Sequence, residues 1–180
     1  MFLIVGNSGS GKDSIIKEIQ KIWPVQKIPL RVATRYITRP PHESEPYVYL
    51  KPDIFYQLEN EGHFFLTWHI YGFDYGIGKE VFQWIFEGIN VVANVSRTII
   101  PKARKKIFSV KVIFISVPYE MTISRLKKRK RESENGEEIK MRLLRAKENL
   151  TCPGADFIIE NVGPLDQSVL TLRNYMLSVV

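Results

Sequence analysis

The chain has 180 residues, 44% of them hydrophobic and 25% charged, and a net charge of +7. That length and composition read as one soluble domain with its own core. A single cysteine, Cys152, excludes an internal disulfide framework, and no apolar run approaches the roughly 20 residues of a membrane span. The positive excess calls for an anionic partner, either nucleic acid or a phosphorylated small molecule.

The apolar run Phe2–Val5 is predicted as a buried strand. It is short and lacks a basic leader, so no signal peptide is read there; a cytoplasmic location is expected, and the sequons at Asn94 and Asn149 are expected to carry no sugar. After a glycine-rich turn, Ile15, Ile16, Ile19, Ile22 and Trp23 follow helical spacing up to Pro24. A strand is predicted near Ile28–Val32, and the proline-rich stretch TRYITRPPHESEP is predicted to be mostly loop.

The runs YVYL and HFFLTWHIYGFDYGIG read as strands, with a short helix at Asp53–Asn60 between them. Beyond Lys79 a helix through KEVFQWIFEG leads to the strand INVVAN. A helix over Thr98–Ile107 follows, with Pro101 confined to its first turn. The continuous apolar run VKVIFISV marks a strand buried on both faces. Two polar helices come next, broken near Glu134–Gly136, and then the strand DFIIEN. The last helix carries Leu165, Val169, Leu172 and Met176 on one face. Strands alternating with helices predict a parallel sheet covered on both sides.

The most specific signal is GNSGSGKDS, Gly6 to Ser14. The pattern G-x-x-x-x-G-K-[ST] is met through Lys12, but Asp13 stands where a hydroxyl is expected. Backbone N–H groups of such a turn converge on phosphate oxygens, Lys12 adds a point charge, and the following helix adds its dipole. Gly6, Asn7, Ser8, Gly9, Ser10, Gly11, Lys12, Asp13 and Ser14 are therefore the candidate ATP-binding residues. Asp13 has two readings, a favourable charge in the first turn of a helix and a hard oxygen ligand for Mg²⁺. The second is preferred.

Taken together, GKDS, TRYITR, WHIYGFDYGIG, VVANVSR and RLKKRKRESENGEEIKMRL resemble the guanylate kinase-like P-loop kinases, and the likeness spans the chain. It implies an α/β three-layer P-loop kinase fold with a parallel five-stranded core sheet, a small strand-rich substrate lobe and a helical lid. One domain, 1–180, is expected, with a core at 1–34 and 80–180, an acceptor-binding insert at about 35–79 and a lid at about 126–145. The motifs are most similar to a branch of the family that phosphorylates ribose 1,5-bisphosphate, with ATP as donor and Mg²⁺ as cofactor. The positions where the resemblance places the guanine-reading carboxylates of guanylate kinases are Thr67 and Ser96 here, and neither offers a carboxylate to the donor edge of guanine. A missing partner for a base is expected to cost roughly 1–3 kcal/mol.

The resemblance also implies roles residue by residue. Lys12, Arg129 and Arg142 are expected to act in catalysis, the two arginines from the lid with Arg131 beside them. Arg35, Arg39, Tyr75, Asn94, Arg97 and Arg131 are expected to bind the phosphorylated sugar. Because the acceptor is an ionised phosphate oxygen, no general base is required. His42, His63 and His69 are scattered, and His69 is kept only as a minor substrate-contact candidate. Trp68 and Tyr71 are read as packing residues.

Three other functions compete: a nucleoside monophosphate kinase, a non-catalytic guanylate kinase-like module, and nucleic-acid binding through RLKKRKR. No base-reading group supports the first, the intact loop opposes the second, and no stacking aromatics accompany the third. Neither a nucleic-acid nor a membrane partner is expected. The oligomeric state, monomer or homodimer, is left open.

Overall fold

A computed structural model describes residues 1–24, 26, 28–40, 46–129 and 136–180. In chain order, β1 (Phe2–Val5) and α1 (Lys12–Ile22) are followed by the short strands β2 (Leu30–Val32), β3 (Arg35–Ile37) and β4 (Val48–Tyr49). Helix α2 (Pro52–Asn60) precedes the hairpin β5 (Phe64–Ile70) and β6 (Phe73–Gly78). Then come α3 (Glu80–Phe86), β7 (Asn90–Asn94), α4 (Ile100–Lys106) and β8 (Lys111–Ser116). Helices α5 (Tyr119–Arg129) and α6 (Gly136–Glu148), strand β9 (Phe157–Glu160) and α7 (Leu165–Ser178) complete the chain.

Five strands form a parallel sheet in the order β2-β7-β1-β8-β9. Side chains alternate across it as strand geometry requires. Leu3, Val5, Val91, Ala93, Val112 and Phe114 meet Val81, Ile100 and Ala103 of α3 and α4 on one face. Phe2, Ile4, Val92, Ile113 and Ile115 meet Ile15, Ile19, Val169, Leu172 and Met176 of α1 and α7 on the other. The result is the three-layer α/β architecture expected from the sequence. Full burial of each such aliphatic side chain contributes about 1.5–3 kcal/mol.

The second sheet has the order β4-β3-β6-β5. Here the structure corrects the sequence reading, because Arg35–Ile37 lies in a ladder rather than in a loop. Arg35 pairs with Ile77 and Ile37 with Tyr75 on one side, and Tyr36 pairs with Val48 on the other. The prolines of this stretch begin only after Arg39, so they leave the three-residue strand intact. A smaller correction concerns the helix predicted over Thr98–Ile107. Arg97–Ile99 is a 3₁₀ turn, and the α-helix begins at Ile100 with Pro101 in its first turn. Among the described residues no helix is long and apolar enough to cross a membrane.

Ile4, fully buried between the sheet and α1, and Phe108, fully exposed, give opposite expectations. Ile4→Ala should lower the unfolding free energy by about 2–5 kcal/mol in urea titrations. Phe108→Ala should stay within about 0.5 kcal/mol of the parent.

Candidate active site

The carboxyl ends of β1, β7, β8 and β9 face one edge of the core sheet, where open α/β sheets place ligands. The glycine-rich turn after β1 lies there. Gly11 has φ 93°, in the left-handed region, and a Cβ on it would run into the amide of Asn161. A Cβ at Gly6 would lie 2.6 Å from the carbonyl oxygen of Ile115. The loop therefore packs too closely on the ends of β8 and β9 to admit side chains at these two positions. Asn161, buried just past β9, donates to the carbonyl of Ser10 at 2.8 Å and accepts from the Ser168 hydroxyl at 2.9 Å.

Lys12 opens α1 and folds back over the turn, donating to the carbonyls of Gly6 at 2.8 Å and Asn7 at 2.9 Å. Asn7 sends its amide the other way, to the carbonyls of Ala146 and Asn149 at the end of α6. Arg97 closes this knot. Its guanidinium donates to Asn7 Oδ1 at 2.7 Å and to the carbonyls of Asn149 and Thr151, while its plane lies over Phe114. Arg125 braces the turn from α5 by donating to the carbonyls of Asn161 at 2.9 Å and Gly9 at 3.4 Å. Burial lowers the pKa of both arginines below the ordinary value, yet a guanidinium stays charged.

Asp13 does not cap α1, whose N-terminus has no side-chain cap. Its Oδ1 instead accepts from Arg35 Nη2 at 2.7 Å and from Asn94 Nδ2 at 2.7 Å. Arg39 is buried, with its plane over Tyr47. Tyr75 stacks on Trp68 at 5.3 Å, nearly parallel. Arg142 is also buried; it donates to the Ser8 hydroxyl at 3.3 Å and lies over the ring of Tyr71, as Arg145 does from farther away. Tyr71 and Gly72 form the two-residue turn between β5 and β6. Tyr71 has φ 56°, a conformation that costs a bulky side chain energy and is held here beneath two arginines.

A cleft of about 760 Å³ gathers these groups. It is lined by Gly6, Asn7, Ser8, Gly9, Gly11, Lys12, Asp13 and Ser14 of the turn, and by Arg35, Arg39, Tyr75, Asn94, Arg97 and Arg142. Ser10 is buried beneath the turn and does not line the cleft. Arg131 and the side chain of Arg129 lie outside the described residues. His69 is mostly exposed, pairs with Asp74 at 2.8 Å and is absent from the cleft wall. Trp68 and Tyr71, read from the sequence as packing, do line it.

The sequence reading gives Lys17 no site role, places Arg125 and Arg145 only as helix-face neighbours of Arg129 and Arg142, and reaches Asn161 only through IIENVGPL, which resembles the loop that flanks adenine in the family. Asn161 had a usable signal, a polar residue closing an apolar strand at the ligand end of the sheet. Eight cationic residues thus line the cleft: Lys12, Lys17, Arg35, Arg39, Arg97, Arg125, Arg142 and Arg145. Among the described residues, Asp13 is the one carboxylate in the same wall.

Comparison with known proteins supplies a context for this geometry. A family model described as guanylate kinase matches residues 1–178. A ribose 1,5-bisphosphate phosphokinase PhnN from Thiobacillus denitrificans is 36% identical over 166 residues, covering 92% of this chain and 86% of that protein. A protein of the same name from Pectobacterium parmentieri is 33% identical over 180 residues, covering 98% and 93%. Among solved structures, guanylate kinase from Anaplasma phagocytophilum superposes with a TM-score of 0.73 at 15% identity, covering 99% of this chain and 85% of that one. A sugar kinase from a Janibacter species gives 0.58 at 15% identity, covering 99% and 94%. At that identity the two structures speak for the fold alone.

The knot of Asn7 and Arg97 should be measurable in stability. A lysine at 97 cannot span three acceptors, so Arg97→Lys is expected to cost about 1–3 kcal/mol in urea unfolding. Combined with Asn7→Ala, the total should fall short of the sum of the single changes.

Proposed function

The chain belongs to the guanylate kinase family, and from that premise we propose that it transfers the γ-phosphoryl group of ATP to the 1-phosphate of ribose 1,5-bisphosphate, giving 5-phosphoribosyl 1-diphosphate and ADP. The observation that carries this reading is the charge of the cleft wall, eight cations against one carboxylate among the described residues. A donor triphosphate and a twice-phosphorylated sugar match such a wall. A guanine does not, since the residues at its reading positions are Thr67, in mid-strand, and Ser96, whose hydroxyl accepts from Thr98 N–H. The names of the relatives from Thiobacillus denitrificans and Pectobacterium parmentieri support the same acceptor.

In this reading an oxygen of the acceptor's 1-phosphate attacks the γ-phosphorus. The bond to the β-bridging oxygen breaks, and its electron pair leaves with ADP. The attacking oxygen is already ionised, so positioning and charge stabilisation carry the catalysis. Lys12, with the N–H groups of the turn, holds the donor phosphates. Arg142 stabilises the transferring phosphoryl group, a part that the family resemblance extends to Arg129 and Arg131. Arg35, Arg39, Tyr75 and Asn94 hold the acceptor. Arg97 commits three hydrogen bonds to protein, so its part is to fix Asn7 and the end of α6 rather than to grip the sugar.

Magnesium fits this donor set. The described residues contain no cluster of three acidic, histidine or cysteine ligands. Kinase magnesium sites need only one or two carboxylates beside substrate phosphates and water, and Asp13 supplies one next to Lys12. When bound, the ion neutralises phosphate charge. A lid closing over the bound phosphates would exclude water and limit transfer to it. The domain organisation proposed with this function is a core at 1–34 and 80–180, an acceptor lobe at about 35–79 and a lid at about 126–145.

The test is ADP release with ATP–Mg²⁺ over a panel of ribose 1,5-bisphosphate, GMP, AMP and UMP. The expected result is turnover of the sugar bisphosphate, with the nucleotides at least about a hundredfold poorer in kcat/KM, a discrimination of about 2.7 kcal/mol. Turnover of GMP without the sugar would overturn the assignment. Lys12→Ala should abolish transfer while circular dichroism and urea unfolding stay near the parent's.

A further inference from the structure

Asp13 breaks the usual form of a phosphate loop, and a metal ligand alone does not account for its surroundings. The carboxylate stands in the first turn of α1, Arg35 opens β3, and Asn94 ends β7. The hydrogen bonds to Asp13 join residues separated by 22 and 81 positions in the chain. Both use Oδ1, at 2.7 Å. Arg35 and Asp13 are only 13% and 26% exposed in their side chains, and Asn94 is buried. The pair is therefore poorly screened by water, unlike a surface ion pair.

Elementary electrostatics explains why a carboxylate is needed. The N-terminus of α1 carries partial positive charge, and Lys12 stands beside it, so a guanidinium brought to this spot is repelled from two directions. Asp13 offsets that repulsion and fixes the direction of the fork. A serine hydroxyl is neutral and sits one bond nearer the backbone. It can serve a metal, as phosphate loops normally use it, but it cannot hold a guanidinium and an amide at once at this reach. Arg35 and Asn94 meanwhile open onto the cleft wall, where Arg35 retains further N–H donors.

We propose that Asp13 is a positioning residue for acceptor recognition: Oδ1 orients Arg35 and Asn94 toward an anionic oxygen of a phosphorylated acceptor, while Oδ2 is the oxygen offered to magnesium. The proposal rests on the phosphotransferase reading above and adds the device by which the donor side and the acceptor side share one carboxylate. It gives the departure from serine or threonine a purpose that magnesium alone does not require.

Two substitutions separate the oxygens. In Asp13→Asn the side-chain carbonyl still accepts from Arg35 and Asn94, but the metal ligand is weakened. In Asp13→Ser the hydroxyl of ordinary phosphate loops is restored and the link to Arg35 is lost. Three quantities are measured for each: acceptor KM, the magnesium concentration that half-saturates ATP binding by calorimetry without acceptor, and the thermal midpoint.

Asp13→Asn should keep acceptor KM within about threefold and raise the magnesium requirement. Asp13→Ser should leave the magnesium requirement near the parent's and raise acceptor KM about tenfold or more, the scale of a lost charge-assisted hydrogen bond. Adding Arg35→Ala to Asp13→Ser should raise KM little further. An unchanged acceptor KM in Asp13→Ser would overturn the proposal, as would a fall in thermal midpoint and kcat alone in both variants. The acceptor is ribose 1,5-bisphosphate or, where the parent turns over only a nucleoside monophosphate, that nucleotide. Failure of the sugar then counts against the proposed function, and the ranking of the two variants still decides the role of Asp13.

Discussion

Mutual repulsion among the cations of one cleft is the constraint that the rest of the architecture answers. Two unit charges about 8 Å apart repel by roughly 2 kcal/mol at an effective dielectric near 20, and eight such groups share the wall. Carboxylates would neutralise them and leave nothing for a ligand. The described partners are instead mostly neutral. Carbonyls hold Lys12, Arg97 and Arg125. Aromatic faces hold Arg39, Arg142 and Arg145, where the ring quadrupole attracts the guanidinium without cancelling its charge. An anionic ligand that enters relieves the repulsion, so the preorganised wall favours phosphate groups before any specific contact is made.

The fold makes this arrangement possible because each support comes from the core sheet. The phosphate turn packs on the ends of β8 and β9, and Asn161 ties it from below. Asn94 ends β7 and Arg97 follows it. The second sheet brings Arg35 to the same edge through the ladder of β3 with β6, and Asp13 closes the gap between the two sheets. Tyr71 does the same between the hairpin and α6. Its strained backbone puts the ring under Arg142 and Arg145, so the second sheet and α6 touch through an aromatic face.

Much of this was legible in the sequence, for identifiable reasons. The continuous apolar runs of β1 and β8 and the 3.6-residue spacing in α1 and α7 are local signals, and they specified the layers. GNSGSGK is local too, and two of its glycines, Gly6 and Gly11, stand where a side chain would collide with the end of β8 or with Asn161. What escaped depends on long-range contact. Arg35–Ile37 is a strand only because β6 and β4 flank it, and nearby prolines hid that pairing. Asp13 was weighed between a helix cap and a metal ligand because Asn94, 81 positions away, cannot be seen from the loop. The hold of Arg97 on Asn7 and the end of α6 was hidden because its partners Asn7, Asn149 and Thr151 are scattered along the chain. Tyr71 read as packing because an aromatic at a hairpin gives no hint of arginines arriving from a helix 70 residues on.

The central claim is that this cleft joins phosphate to phosphate, with its cations standing in for a base. Phosphorus-31 NMR of the product formed from ATP–Mg²⁺ and ribose 1,5-bisphosphate tests it most directly. The account predicts a new pair of mutually coupled phosphorus signals, a diphosphate on the anomeric carbon, with the 5-phosphate signal unchanged. A new uncoupled monoester signal would contradict it, because phosphate would then have gone to a sugar hydroxyl.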